Sequence, residues 1–419
     1  SYRWCSIIML ASLSQSEMFC ASFIQNLLCA SQSFHSCINA RAGHAEIHDP
    51  ATFWGDRVVW SVVMLSASVA IGAASRALGN YISPGVRPLG TLTISEAGLG
   101  TLNLALDKEK DTDAANTFAA AIRAGCNFVD TAEAYGFGSS ERLTAWSAQI
   151  ARVPIGCDDG QLHVATKFAP LPWRQTPESV VEACKASAER LGVSQIPLYQ
   201  IHFPDIIQPF KAIGMERRKD EEYWEGLAQC YELGLVANVG VCNYGPTMTR
   251  RVHAFLKARG IPLASNQINY SLMYRKGAVE ETVAVCNELG VPVISYFPLA
   301  NGLLAGRYEA DSLPPFPKSL TMKKYVVGGV DGYPEGGYTP LLKALRRVAE
   351  QHGKTVAQVS LNWVLCKGCI PIPGARSRQM AEANFGAMGW RLTDAEVAEL
   401  EAASDEIGFE FSSGGFTLE

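Results

Sequence analysis

Beyond residue 84, the 419-residue chain repeats one unit, a short apolar strand followed by an amphipathic helix. Eight strands are predicted, at residues 96–99, 127–130, 163–167, 198–202, 236–242, 264–268, 292–296 and 369–373. Helices are predicted between them, for example at 113–124, before Gly125, and at 177–191, from Pro177 to a stop at Gly192. Eight strands alternating with helices predict an α/β fold closed into a parallel (β/α)8 barrel, the TIM barrel.

The main alternative for this pattern is an open, doubly wound sheet that binds a dinucleotide. That fold carries a Gly-x-Gly-x-x-Gly turn directly after a strand. Here Gly136-Phe137-Gly138 lacks the third glycine and lies in a predicted loop. The pattern therefore favours the barrel.

The segment 1–83 differs from the predicted barrel domain, 84–419, in being rich in Ser, Ala and Cys and poor in acidic residues. It contains an uncharged run at 58–75, flanked by Arg57 and Arg76. This run approaches the roughly 20 residues that cross a bilayer, but its serines, alanines and glycine make it weakly hydrophobic. We interpret 1–83 as a targeting extension that is removed on import. A retained membrane anchor and an amphipathic helix are the alternatives.

The charge and cysteine content narrow the classes of partner. A net charge of −5, with no long run of Lys or Arg, argues against nucleic-acid binding. The 12 cysteines lack the spacing of a disulfide framework, which indicates a reducing compartment. Cys366 and Cys369 form one CxxC pair, interpreted as two packed thiols because no second pair accompanies it. No His, Cys or Asp grouping has metal-ligand spacing, so no metal is expected.

Four titratable residues fall at or just after the predicted carboxyl ends of three consecutive strands, where (β/α)8 barrels place their active sites. They are Asp130, Tyr135, Lys167 and His202. Reducing a carbonyl requires a proton for the developing alkoxide, and a phenol is a reluctant donor near neutrality. Lys167 would lower the pKa of Tyr135, Asp130 would keep that lysine charged, and His202 would bind the carbonyl oxygen.

Each of these residues, taken singly, has an ordinary structural explanation. Asp130 is a candidate helix cap, Lys167 a solvated side chain and His202 a hydrogen-bonded histidine. Their joint position at successive strand ends favours catalysis. His163, in contrast, begins a strand and should face the opposite, structural end of the barrel.

Six motifs between residues 84 and 404 resemble, in order and spacing, those of the aldo-keto reductases. They are Asp130-Thr-Ala-Glu-Ala-Tyr135-Gly, Ala165-Thr-Lys167, Leu198-Tyr-Gln-Ile-His202, Gly240-Val-Cys-Asn243, Tyr296-Phe-Pro-Leu-Ala-Asn-Gly-Leu and Pro371-Ile-Pro-Gly-Ala-Arg376. The resemblance implies that the four titratable residues form that family's catalytic tetrad. It also implies that NADPH (NADP+) binds across the barrel mouth without a Rossmann domain.

The resemblance further implies eight cofactor contacts. Two departures bear on them: Cys242 replaces a common serine, and Met380 replaces a basic residue, so a preference for NADPH over NADH depends on Arg376. By motif position, Asn243 and Gln267 would bind the nicotinamide carboxamide, and Tyr296 would stack on the nicotinamide ring. Arg376 would meet the 2′-phosphate and Asn384 would reach the adenine. Three further residues would lie at the cofactor: Gly100, Thr101 and Leu299.

The expected function is NADPH-dependent reduction of a small aldehyde or ketone. The alternative is an NADPH-binding regulatory subunit with little turnover. An aldolase using Lys167 as a Schiff base is disfavoured, because Asp130 and Tyr135 would then have no role.

The motif at 371–376 most resembles plastid and cyanobacterial members of the family, which implies a plastid location, with the cytoplasm as the alternative. The unpatterned connection 307–339, rich in Pro and Gly, is expected to be a functional or mobile loop.

Overall fold

The computed structural model describes residues 85–102, 104, 111–205, 219–315, 318–330, 332–410 and 418. They form ten strands and eleven α-helices. The strands are β1 Val86–Leu89, β2 Leu92–Ser95, β3 Leu99–Gly100, β4 Phe128–Asp130, β5 His163–Phe168, β6 Leu198–Ile201, β7 Val239–Cys242, β8 Leu263–Asn269, β9 Val293–Tyr296 and β10 Ile370–Pro371. The helices are α1 Thr112–Arg123, α2 Ser139–Ala151, α3 Pro177–Leu191, α4 Asp220–Glu232, α5 Pro246–Lys257, α6 Ala278–Leu289, α7 Lys318–Val326, α8 Thr339–His352, α9 Val356–Cys366, α10 Arg378–Phe385 and α11 Asp394–Glu406.

Strands β3 to β10 form one parallel sheet in chain order, with at least one helix between each pair of successive strands. The first and last strands close it: Gly98 N donates to Pro371 O at 2.9 Å, and Gly100 N donates to Pro373 O at 3.2 Å. A side chain on Gly100 would lie 2.8 Å from the carbonyl of Ile372, so glycine permits this approach. The predicted (β/α)8 barrel is therefore confirmed, and the open sheet is excluded.

The predicted elements agree with the structure to different degrees. Helix α3 has the predicted bounds, with Thr176 capping its start and Gly192 ending it at φ 69°. Helix α1 is one residue displaced from the prediction. The first barrel strand is less well predicted, because the run at 96–99 overlaps β3 only at Leu99.

A hairpin that the sequence analysis did not predict precedes the barrel. Strands β1 and β2 pair antiparallel around Gly90. Leu89, Leu92 and Ile94 are buried against residues from the amino ends of the barrel strands, among them Phe128 and Leu198. The hairpin therefore closes the amino-terminal end of the barrel and leaves the carboxyl end open for a site.

The connection 307–339, which shows no periodic pattern in the sequence and was expected to be a functional or mobile loop, is not irregular throughout. It contains α7, in which Met322, Tyr325 and Val326 are buried. Their spacing places them on one face of the helix. The prolines and glycines on either side obscured this short pattern in the sequence.

Cys366, at the end of α9, and Cys369, before β10, are both free thiols. Cys369 is buried, and Cys366 Sγ contacts the side-chain oxygen of Asn362 at 3.4 Å. This arrangement agrees with two packed thiols. Among the helices that the structure describes, none has the length and apolarity needed to cross a membrane. The run at 58–75 and the whole of 1–83 lie outside the described residues.

Candidate active site

A cavity of about 780 Å³ opens at the carboxyl ends of the barrel strands. Tyr135 and Tyr296 reach it from the loop after β4 and from the end of β9. Lys167 is the one predicted site residue that does not line it; its side chain lies fully buried in β5. The other predicted residues all do: Gly100, Thr101, Asp130, Tyr135, His202, Asn243, Gln267, Tyr296, Leu299, Arg376 and Asn384.

The ammonium group of Lys167 has three acceptors for its three protons. Nζ lies 2.5 Å from Asp130 Oδ1, 2.8 Å from the carbonyl of Thr131 and 3.3 Å from the hydroxyl of Tyr135. Burial, the largest single effect, would by itself lower the pKa of Lys167, but the opposing effects of Asp130, Tyr135 and Cys242 together outweigh it, and the pKa is raised. The lysine is therefore a charged group at neutral pH, oriented toward the phenol.

Tyr135 departs from one expectation. Burial raises its pKa, and this effect exceeds the opposing effect of Lys167, part of whose charge is offset by Asp130. The sequence analysis had expected the lysine to lower the pKa. The cation acts in the expected direction, but the net shift is upward, because removing a phenolate from water costs more than this paired cation returns. Tyr135 therefore carries its proton at neutral pH, as a proton donor must.

His202 is held in its neutral form. Burial, with the nearby charge of Lys167, lowers its pKa to about 3. Its ring lies 5.7 Å from that of Tyr135, at an interplanar angle of 76°. Its buried Nδ1 has no hydrogen-bond partner among the described residues. A neutral imidazole beside a phenol can hydrogen-bond a carbonyl oxygen without adding charge.

The two amides expected to bind nicotinamide already have protein partners. Gln267 Nε2 donates to Asp130 Oδ2 at 2.7 Å and its Oε1 accepts from the Cys242 thiol at 3.8 Å, which leaves one amide proton and one lone pair free. Asn243 Nδ2 donates to the carbonyl of His202 at 2.9 Å and contacts Cys242 Sγ at 3.2 Å, while its Oδ1 accepts from Tyr296 at 2.7 Å. Asn243 therefore has only an acceptor position left, whereas Gln267 keeps both a donor and an acceptor position.

Cys242 stands where a serine was expected. Its thiol donates to Gln267 Oε1 at 3.8 Å and contacts the amide of Asn243. Burial raises the pKa of Cys242, so the group is a neutral thiol. It therefore links the two amides, although more weakly than a hydroxyl would.

Arg376 lies exposed at the rim of the cavity, after β10. Within the described ranges it has no acidic partner, whereas the neighbouring Arg378 pairs with Glu382 at 3.0 Å. Asn384 is held by a hydrogen bond of 3.3 Å from its Nδ2 to the carbonyl of Gly374. An anion arriving at this rim would meet an uncommitted guanidinium.

The sequence analysis missed a second cavity-lining cation, Arg307. Its guanidinium lies over Gly302, where a side chain would collide with it, and 5.2 Å from the ring centre of Tyr308. No carboxylate in the described part of the chain pairs with it. Its position just after the motif that begins at Tyr296 was a usable signal, but the residue was treated only as the edge of a loop.

Backbone strain is concentrated at the same cavity. Asn243, Phe297 and Asn301 line it and have φ values of 64°, 49° and 53°. Non-glycine residues seldom adopt this left-handed conformation, and such residues cluster at functional sites. No group of three or more potential metal ligands is brought together in the residues that the structure describes.

A closed (β/α)8 barrel with polar groups converging at its carboxyl end is the architecture of a barrel enzyme. Residues 96–405 match the model of the aldo/keto reductase family. The chloroplastic pyridoxal reductase of Arabidopsis thaliana is 38% identical over 329 residues, which cover 76% of this chain and 85% of the relative. An aldo-keto reductase of Strobilurus tenacellus is 31% identical over 339 residues, covering 76% and 92%. The chain therefore belongs to the aldo/keto reductase family of oxidoreductases.

Solved structures support the same fold. A glycerol dehydrogenase of Gluconobacter oxydans matches with a TM-score of 0.62 at 23% identity, over 80% of this chain and 99% of that one. An aldo-keto reductase of Bombyx mori, solved in complex with NADP, matches with a TM-score of 0.58 at 24% identity, over 79% and 99%.

Proposed function

We propose that this protein reduces a small aldehyde or ketone to an alcohol with NADPH, and that Tyr135 is the proton donor. The observation that carries the proposal is the placement of Lys167 Nζ between Asp130 Oδ1, at 2.5 Å, and the hydroxyl of Tyr135, at 3.3 Å. A fully buried lysine is costly unless its charge is used or paired. Here it is paired on one side and directed at a phenol on the other.

The cavity suits a dinucleotide phosphate. Its two uncommitted cations, Arg307 and Arg376, would hold phosphate groups, and Asn384 would meet the adenine. Tyr296 offers an aromatic face and Gln267 a free amide proton at the deep end. NADPH would supply a hydride to the carbonyl carbon. Arg376 is assigned to the 2′-phosphate, which makes it the residue that distinguishes NADPH from NADH.

The protein's own residues supply one proton to the substrate oxygen and stabilise the charges that form as it is transferred. As negative charge develops on the substrate oxygen, Tyr135 donates its proton and becomes a phenolate. Lys167 stabilises that phenolate, and Asp130 keeps the lysine in place. His202, being neutral, hydrogen-bonds the substrate oxygen and orients it. The raised pKa of Tyr135 fits this role, because the proton leaves only when a stronger base has formed beside it.

We propose a planar aromatic aldehyde of the pyridoxal type as the substrate. The relative from Arabidopsis thaliana is named a pyridoxal reductase. Two large aromatic side chains support the same class: Phe137, 96% exposed, lies two residues after Tyr135, and Trp173, 77% exposed, lies in the loop after β5. Both side chains lie in loops at the end of the barrel that holds the cavity.

We also propose that the protein acts in plastids, supported by the chloroplastic relative and the composition of 1–83. Sequencing the amino terminus of the protein isolated from plastids checks this. A terminus near residue 84 is expected, whereas membrane-bound protein that still contains 58–75 would contradict it.

The test of the function is a panel of carbonyl compounds, including pyridoxal, followed by NADPH oxidation. Pyridoxal is expected to be turned over, and Tyr135→Phe is expected to lower that turnover by about 10²- to 10⁴-fold. Stoichiometric NADPH binding with negligible turnover of every compound would instead support the regulatory subunit.

A further inference from the structure

The loop between β4 and α2 carries Tyr135, and its own backbone fixes the residue only in part. Tyr135 N donates to the carbonyl of Ala132 at 3.1 Å, and Ser140 N donates to the carbonyl of Tyr135 at 3.2 Å. The phenol of Tyr135 contacts Lys167 at two points: the hydroxyl lies 3.3 Å from Nζ, and the ring centre lies 4.9 Å from Nζ. One backbone bond, from Glu133 N to the carbonyl of Lys167 at 3.4 Å, joins the loop to the strand of the lysine, and side-chain contacts at both ends of the loop add to it.

Glu133 ties the start of this loop to the next strand. Its Oε1 accepts from Arg174 Nη1 at 2.7 Å and from the backbone N–H of Ala169 at 2.7 Å, and its Oε2 accepts from Arg174 Nη2 at 3.3 Å. The guanidinium lies over the ring of Phe168, 4.4 Å from its centre. The two charged side chains are 13% and 20% exposed. Such a two-pronged, sheltered pair fixes both distance and angle.

Glu141 ties the end of the loop in the same way. It is fully buried and accepts from Arg190 Nε at 2.5 Å and from Thr166 Oγ1 at 2.6 Å. Thr166 directly precedes Lys167 in β5. Arg190 also lies against Gly138, where a side chain would come within 2.7 Å of it, and its guanidinium reaches to 4.0 Å from Glu133.

We propose that Glu133, Arg174, Glu141 and Arg190 are positioning residues that fix the phenol of Tyr135 against Lys167. Both ends of the loop are fastened to β5 or to its flanking elements, and β5 is the strand that carries the lysine. The distance between proton donor and cation is thus set by ion pairs that touch neither the substrate nor the cavity. This inference rests on Tyr135 being the proton donor.

The experiment compares Glu133→Gln, Arg174→Gln and the double variant with wild type. Each single change breaks the two-pronged pair, and a displacement of about 1 Å in a reacting group costs up to about 100-fold. We expect kcat to fall by about 10- to 100-fold, with KM and NADPH affinity within about threefold. The double variant should lose little more than either single variant, because both serve one contact. Arg174→Lys, which restores charge without the fork, should recover part of the loss.

The solvent isotope effect on kcat separates positioning from simple loss of folded protein. A misplaced donor makes proton transfer slower, so the isotope effect should rise in Glu133→Gln, whereas a smaller active fraction leaves it unchanged. Arg250→Gln is the matched control, since Arg250 forms an equally two-pronged pair with Glu288 on the outer helices α5 and α6. Its kcat and isotope effect should match wild type.

The variant Tyr135→Phe distinguishes failure of the positioning inference from failure of the proposed function. If that variant is inactive while Glu133→Gln and Arg174→Gln keep wild-type kcat and isotope effect, the positioning inference is wrong and the proposed function stands. If Tyr135→Phe is itself fully active, the proposed function fails first, and the inference fails with it.

Discussion

Gln267 donates a hydrogen bond of 2.7 Å to Oδ2 of Asp130, the same carboxylate whose Oδ1 holds Lys167. Gln200 Nε2 donates to Oδ2 as well, at 3.4 Å. With both oxygens bound, the carboxylate cannot rotate. One buried aspartate therefore aligns Lys167 and the phenol of Tyr135 on one side with the amide proposed to meet the cofactor on the other.

Replacing Tyr135 by Phe keeps the ring and removes the proton. We expect kcat to fall by about 10² to 10⁴, the usual contribution of general acid catalysis, while NADPH affinity stays within a few fold. Steady-state kinetics and titration of NADPH fluorescence measure the two quantities. Reduction at a rate near wild type would show that another group is the acid.

Lys167→Met leaves the carboxylate of Asp130 buried without its cation, which typically costs about 3 to 5 kcal/mol of stability. It should also slow proton transfer, and its effect on kcat should be less than additive with that of Tyr135→Phe. Unfolding in urea and kinetics of the single and double variants measure both effects.

Adding Asp130→Asn to Lys167→Met separates stability from catalysis. Since the double variant no longer buries an unpaired charge, part of the lost stability should return, while activity stays low. If the double variant is no more stable than Lys167→Met alone, the orphaned charge is not what destabilises the protein.

Arg376→Ala should weaken NADPH binding by about 10- to 100-fold and leave NADH nearly unchanged, since a charge-assisted hydrogen bond contributes about 1.5 to 3 kcal/mol. Titration with both cofactors measures it. Arg378→Ala is the control, because Arg378 is already paired with Glu382 and should not respond. Equal losses of affinity for NADPH and NADH would contradict the assignment of Arg376 to the 2′-phosphate.

Arg307→Ala should behave differently. If its guanidinium meets phosphates that both cofactors share, NADPH and NADH should weaken by similar factors, about tenfold or more. The same titrations measure this. A loss confined to NADPH would place Arg307, and not only Arg376, at the 2′-phosphate.

The folded protein should lose stability in acid through His202. Its pKa in the folded state is about 3, against a usual value of 6.5. As the pH falls below about 6.5, the unfolded chain takes up a proton that the folded chain does not, so the free energy of unfolding decreases until about pH 3. Urea unfolding at several pH values should show a shallower decrease for His202→Gln. An unchanged slope would show that another group dominates.

The sequence predicted the fold well, because the alternation of strands and helices is a short-range pattern, and the structure brings the predicted site residues together at one end of the barrel. Asp130, Lys167 and His202 each stand at a strand end, and strand ends meet at one face of a barrel. The hairpin was not predicted from the sequence, because its first strand contains Pro88, and proline is not typical of a strand. The pKa of Tyr135 could not be predicted, because it depends on how burial and charged side chains distant in the sequence act together. The pairing of Glu133 with Arg174, 41 residues away, could not be predicted for the same reason.

The cavity lies across the line where the barrel closes. Gly100 belongs to the first barrel strand and Arg376 follows the last, yet both line the same space, and between them run the hydrogen bonds that join β3 to β10. No amino-terminal fragment that stops before β10 contains a complete site, so the site can be assembled only after nearly the whole barrel has been synthesised. A molecule bound in the cavity would contact both the first and the last barrel strand, and it would therefore stabilise the closed barrel against separation of these two strands.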